Sequence, residues 1–431
     1  MAKTASYKYL HIMSIFRIIL ISLACMLCDP APLLAQESGS EDALERFPES
    51  FGREALRKDG FDLQLIAVND IWGNTTGGDH RGVGVMGNLN IVLEIDTEAA
   101  GWWKDGAFTL YGIGIYGRRP VVAVGDFQYT SSIDAPETFE PYEAFYEHSF
   151  LDGQLKWLAG IHDLTLDFAI LDYGFTFINS SFFTPSTMTQ LPYSFYPNTG
   201  LGTRAILEAT DKIYVMAGLY DGRPATAGGL KTVDLGFSRS DGLYTIGELG
   251  WRSRDANERH AKLAVGAWYS SGTFKDISGD DRSSNYGTYV LGELELWREE
   301  QIRELKLWQQ QPSEQQVNDQ GLGAFFQVAQ AAQDINVNPW YLGGGIRYKG
   351  LIPERDEDVL GFGLAMAYFG SSYRALTPGT EQSERTFELS YRALISPWLV
   401  LTPDLQYVLD PSGNPELDDA LILYLRTEVA L

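Results

Sequence analysis

From about residue 61 to the end of the chain, apolar and polar residues alternate in short blocks. Asn88, Asn90, Glu94 and Asp96 interleave with Leu89, Ile91, Leu93 and Ile95; Glu388, Ser390 and Arg392 interleave with Phe387, Leu389 and Tyr391. Thr402, Asp404 and Gln406 alternate with Leu401, Leu405 and Tyr407, and Glu293 and Glu295 with Leu294 and Leu296. A period of two is the signature of a strand with one greasy face and one wet face. Sixteen such strands are predicted, over 62–69, 86–96, 107–118, 142–149, 154–162, 203–209, 212–219, 243–252, 261–269, 287–298, 321–331, 340–349, 359–369, 385–394, 398–408 and 420–431.

Alternation alone does not distinguish a soluble sandwich from a membrane barrel, whose polar face would line a wet interior. Two further features favour the barrel. The last block carries Leu421, Leu423, Leu425, Val429 and Leu431 on one face and stops on that face. A final strand of this kind is expected to pair with the first and leave no edge in lipid. The gaps between strands also alternate in length. If the chain starts on the periplasmic side, the outward gaps are 70–85, 119–141, 163–202, 220–242, 270–286, 332–339, 370–384 and 409–419, and most are long. The opposite gaps, 97–106, 150–153, 210–211, 253–260, 350–358 and 395–397, are short, with the Gln/Glu-rich 299–320 as the exception. Long outer loops and short inner turns are the outer-membrane pattern. The expected fold is therefore all-β: a transmembrane antiparallel β-barrel of about 16 strands.

The gap at 163–202 contains Phe168, Tyr173, Phe175, Phe177, Phe182, Phe183, Tyr193, Phe195 and Tyr196. A loop so aromatic needs somewhere to bury itself, and the barrel interior is the available place. It is expected to fold inward after the fifth strand and narrow the passage; packing on neighbouring loops or a partner subunit is the alternative.

Lys3, Lys8 and Arg17 precede an apolar run at 18–27, followed by Leu33-Leu34-Ala35. Residues 1–35 read as a signal peptide, and 36–60 as a periplasmic segment with a short helix or no fixed structure. The barrel then spans 61–431. Both cysteines, Cys25 and Cys28, fall within the signal. Removing its net two positive charges takes the formal charge from −24 to −26. Nucleic acid is excluded as a partner, because phosphate binding needs a basic surface.

No nucleophile elbow, zinc-binding Cys/His spacing or phosphate-cradling loop is present, and no cofactor is expected. His162-Asp163 and Asn179-Ser180-Ser181 match no catalytic motif. What remains is a set of charged residues on predicted inward positions: Glu94, Glu143, Glu147, Lys156, Arg204, Glu208, Arg347, Glu388, Arg392 and Asp404, joined by Asp172 from the inward loop. Carboxylates and guanidinium groups beside aromatic faces suit hydroxyl-rich neutral solutes. Pairing of these residues with one another across the wall is the alternative.

Several ordered segments carry a family resemblance: Gly101-Trp102-Trp103, Tyr142-Glu143-Ala144-Phe145-Tyr146-Glu147, Phe150-Leu151-Asp152-Gly153 and Phe177-Ile178-Asn179-Ser180-Ser181-Phe182. Ala217-Gly218-Leu219-Tyr220-Asp221-Gly222, Gln320-Gly321-Leu322 and Tyr348-Lys349-Gly350-Leu351-Ile352-Pro353 continue the series. Glu388-Leu389-Ser390-Tyr391, Pro397-Trp398-Leu399 and Pro403-Asp404-Leu405-Gln406-Tyr407 complete it. In their order and spacing the chain resembles the OprB-type carbohydrate-selective porins. The resemblance implies a sixteen-stranded barrel in the outer membrane of a Gram-negative bacterium, passing small sugars by facilitated diffusion. The implied partners are small sugars, outer-membrane lipid and lipopolysaccharide, in a monomer or homotrimer. Arg204, Arg347, Glu143 and Glu388 are the residues expected to grip solute. An ion or general-solute porin on the same barrel, an outer-membrane enzyme and a soluble β-protein are the competing readings. Leu431 in place of a terminal aromatic and the 299–320 segment depart from the family pattern.

Overall fold

The computed structural model describes residues 53–191, 193–222, 242–253, 259–299 and 320–430. The expected signal peptide, most of the 36–60 lead-in and nearly all of the elaborated 299–320 turn lie outside these residues. Of the lead-in, Arg53–Lys58 forms a short helix.

Sixteen antiparallel strands close on themselves. They are β1 Phe61–Gly78, β2 Gly82–Asp96, β3 Gly106–Gly117, β4 Thr138–Phe150, β5 Leu155–His162 and β6 Gly200–Glu208. Next are β7 Ile213–Asp221, β8 Leu243–Arg252, β9 Ala261–Ser270, β10 Asn285–Arg298 and β11 Gly321–Ala331. The set ends with β12 Trp340–Lys349, β13 Val359–Tyr368, β14 Ser383–Ser396, β15 Leu399–Leu409 and β16 Asp418–Ala430. Each expected strand is present. The last pairs with the first, from Ile66 opposite Ala430 to Gly78 opposite Asp418. Inside that seam, Arg426 donates from Nε to Asp70 Oδ1 at 2.7 Å and from Nη2 to Oδ2 at 2.8 Å.

The gap expected at 70–85 is a correction. β1 continues through Gly78 and β2 resumes at Gly82, with Asn74 opposite Gly82. The period persists there, with Trp72 and Asn74 buried and Ile71, Val83 and Val85 exposed. Its glycines and small polar residues hide the alternation from hydropathy. In β4, Pro141 sits at a register shift, where a missing N–H is tolerated. The shift leaves Tyr142 and Glu143 both buried, so that inward parity passes from even to odd numbers.

The outer surface is a hydrocarbon face. Leu207, Val215, Leu249, Leu263, Val265, Leu294, Phe362, Leu389 and Leu423 all lie exposed on it, Leu423 at 50%. Apolar exposure of this extent is far beyond the surface of an ordinary soluble domain. Exposed aromatics mark both rims. Trp102, Trp103, Trp157, Trp251 and Trp297 lie at the short-turn end, and Phe139, Tyr269, Tyr286, Trp340 and Tyr407 at the long-loop end. Such girdles sit at the two membrane interfaces of an outer-membrane barrel.

Candidate functional site

The segment joining β5 to β6 runs inside the barrel, and wall carboxylates hold its backbone there. Asp163 N donates to Glu143 Oε1 at 2.9 Å, Ala169 N to Glu248 Oε2 at 2.9 Å, and Tyr173 N to Glu293 Oε2 at 3.0 Å. Ile178 N and Asn179 N both donate to Glu388, the latter at 3.1 Å. The four glutamates belong to β4, β8, β10 and β14, so the segment crosses the interior as it passes from one to the next. A buried N–H left unpaired costs about 1–3 kcal/mol, and a carboxylate is the strongest uncharged-donor acceptor available. Further along, Gln327 Nε2 donates to Phe182 O at 2.7 Å, and Tyr341 OH to Ser181 O at 2.7 Å.

The aromatics of the segment supply the interior core. Phe168, Tyr173, Phe177, Phe182 and Tyr193 pack with wall residues Tyr214, Tyr244, Trp268, Tyr289, Phe325 and Tyr341. Close approach requires a wall without side chains at two points. A Cβ on Gly323 would stand 2.4 Å from the Tyr173 ring, and one on Gly363 2.6 Å from the Phe182 ring. The segment therefore sits in sockets as well as on hydrogen bonds.

A second segment, 118–137 between β3 and β4, also lies within the wall. Phe127 N and Gln128 N donate to Glu384 on β14 at 2.6 and 2.9 Å. Gln406 Nε2 on β15 donates to Thr130 O at 2.8 Å, and Ser131 Oγ to Asp70 on β1 at 2.6 Å. The two segments meet where Ser132 N donates to Ile178 O at 2.8 Å and Ser180 N to Tyr129 O at 3.0 Å.

Beside these contacts Asp126 is buried, and burial pushes its carboxyl well above the usual range, with the charges of Glu384 and Asp134 adding to the shift. A raised folded-state pKa means the folded protein keeps a proton that the unfolded chain releases above about pH 3.9. The contribution to stability is complete below that pH and is lost as pH rises toward the folded value. Asp126→Asn is expected to flatten the fall in thermal stability with rising pH, by about 1.4 kcal/mol for each pH unit spanned. Melting curves of detergent-solubilised wild type and variant from acid to neutral pH check this; parallel curves contradict it.

The residues expected from sequence divide by exposure. Glu143, Glu388 and Asp404 are buried, the first two as loop anchors; Asp404 accepts from Gln406 Nε2 at 3.1 Å. Arg204 is buried too, donating to Asp167 Oδ2 at 2.8 Å and reaching Glu147 at 2.7 Å. Arg392 pairs with Glu428, and Glu208 with Arg252. Glu94 and Lys156 are exposed near the short-turn end, with the Lys156 charge close enough to act on Asp167 of the anchored segment. Asp172 is exposed beside the partly buried His260, and Arg347 lies with its guanidinium carbon 3.9 Å over the Tyr173 ring. Asp163 turns from His162 to Thr165 and Tyr196, accepting from their backbone N–H groups at 2.8 and 3.1 Å.

Sequence reasoning missed Glu248, Glu293 and Glu384 as anchors, and Tyr129 as an exposed aromatic of the second inward segment. The available signal was a glutamate on the inward face of β4, β8, β10 and β14 opposite an aromatic loop.

Residues 80–431 match the family described as carbohydrate-selective porin, OprB family. Porin B of Pseudomonas aeruginosa is 24% identical over 250 residues, a match covering 50% of this chain and 51% of that protein. The chain thus matches about half the length of this curated relative. Among solved structures, the high-pH structure of Pseudomonas putida OprB superposes with a TM-score of 0.77 at 21% identity, over 88% of this chain and 96% of that one. The low-pH structure of the same protein gives 0.57 at 17% identity, over 88% and 95%. At these identities the structures bear on the fold alone.

Proposed function

Because the chain belongs to the carbohydrate-selective porin family of the OprB type, we propose that it passes small sugars by diffusion through a Gram-negative outer membrane into the periplasm. One observation supports this most. The inward segments satisfy their backbone on the wall and leave aromatic faces exposed, Phe175 at 53% and Tyr129 at 40%. Asp172 and Arg347 stand near by, one a forked acceptor and the other a planar donor held over Tyr173. Aromatic faces with forked polar groups suit a neutral ring of hydroxyls. Selectivity of this kind follows from passage width and wall hydrogen bonds.

Liposome swelling with purified protein tests the proposal. Monosaccharides are expected to enter faster than amino acids of equal size. Phe175→Ala and Arg347→Ala are each expected to reduce that preference about fivefold, the equivalent of one contact of about 1 kcal/mol. Rates ordered by size alone in the wild type would refute it. A cation-selective porin is the second reading, favoured by the exposed Asp172 and the formal charge of −24. A cation-selective reversal potential that saturating sugar leaves unchanged would support that reading instead.

A further inference from the structure

Three potential metal ligands meet where the inward segment touches the wall. Asp172 opens the short helical turn Asp172–Thr176, His260 precedes β9, and Glu293 lies on β10. Their ligand atoms all lie within 4.8 Å of one another. His260 Nε2 is 2.8 Å from Glu293 Oε1 and 3.9 Å from Asp172 Oδ2. We propose that this triad binds a divalent transition ion of the zinc class, clamping the inward segment to the barrel wall.

Three features carry the proposal. One imidazole and two carboxylates form a donor set suited to zinc, at about 2.0–2.2 Å per bond, with water completing an open fourth position. The ligands are held from behind. Glu293 takes the Tyr173 N–H on its other oxygen at 3.0 Å, the His260 backbone N–H donates to Glu295 at 3.0 Å, and the Tyr173 ring packs 5.0 Å from the His260 ring. Outer contacts of this kind orient metal ligands. The Glu293 side chain is also fully buried while Asp172 and His260 are open to solvent, so an ion has a route in and a fixed floor. Of the neighbouring cations, Lys262 donates to Ile170 O at 2.8 Å while its charge also acts on both carboxylates, and Arg347 lies over the Tyr173 ring. A divalent ion would balance the charge of the two carboxylates.

Titration of purified protein in detergent with Zn2+ by calorimetry, repeated with Co2+ by visible absorption, tests the site. The expected result is one saturable ion per chain, a Co2+ ligand-field band, and binding at least about tenfold weaker in both His260→Ala and Asp172→Asn. Tenfold is the lower bound seen when only an outer partner of a ligand is lost. Heat-modifiable gel mobility confirms that each variant is a closed barrel, and Asp172→Asn alters no strand. Absence of saturable binding in the wild type, or equal binding in both folded variants, would overturn the proposal. Neither result depends on which solute the barrel passes.

Discussion

Glu388→Ala is expected to raise single-channel conductance and abolish the preference for sugars over size-matched solutes. Glu388 is fully buried and is the acceptor for both Ile178 N and Asn179 N. Alanine leaves two buried donors unpaired at about 1–3 kcal/mol each. That is enough to release the middle of the inward segment, which at this point also leans on Gln406 through Asn179 Nδ2 at 3.3 Å. Glu388→Gln keeps one acceptor oxygen for one of the two N–H groups but sets its NH2 against the other, with Asp404 within reach of that NH2, and is expected to fall between wild type and Glu388→Ala. Planar-bilayer recordings of the three proteins decide the matter. Equal conductance in wild type and Glu388→Ala would show that the anchor does not hold the segment.

The second large effect is at the seam. Asp70 and Arg426 are both buried and join the first strand to the last by two parallel hydrogen bonds, with Ser131 of the second inward segment on the same carboxylate. Removing one member of a buried pair strands the other charge, at about 3–5 kcal/mol. Arg426→Ala and Asp70→Ala should each lower the temperature at which the folded band disappears on a detergent gel. The double variant Asp70→Asn/Arg426→Met should be milder than either single change, because no lone charge remains. A double variant as damaged as the sum of the singles would mean that the two residues act independently.

Strand number, order and the closing pair were legible because a two-residue period survives in most blocks and one face must meet lipid. The 70–85 stretch was not, since Gly73, Gly77, Gly78 and Gly82 with Thr75 and Thr76 leave little hydropathy to alternate. The inward course of 163–202 was readable from its aromatics. That of 118–137 was not, because Gln128, Thr130 and Ser131 anchor it through small polar groups. Glu143 and Glu388 were picked out but their backbone partners were not, and Glu248 and Glu384 were missed. A carboxylate on a strand has the same sequence signature whether it meets water, solute or a peptide N–H, and only coordinates separate Glu388 from Glu94.

Anchoring by carboxylate to peptide N–H has a consequence for how such a barrel changes over generations. The wall recognises the path of the inward segment's main chain at 163, 169, 173 and 178–179, and every residue except proline presents the same group there. Side chains at solvent-facing points such as Leu166 and Phe175 are thus released from structural duty. A change in the lining of the passage can therefore be confined to one short stretch, with the cylinder that assembles in the membrane left untouched.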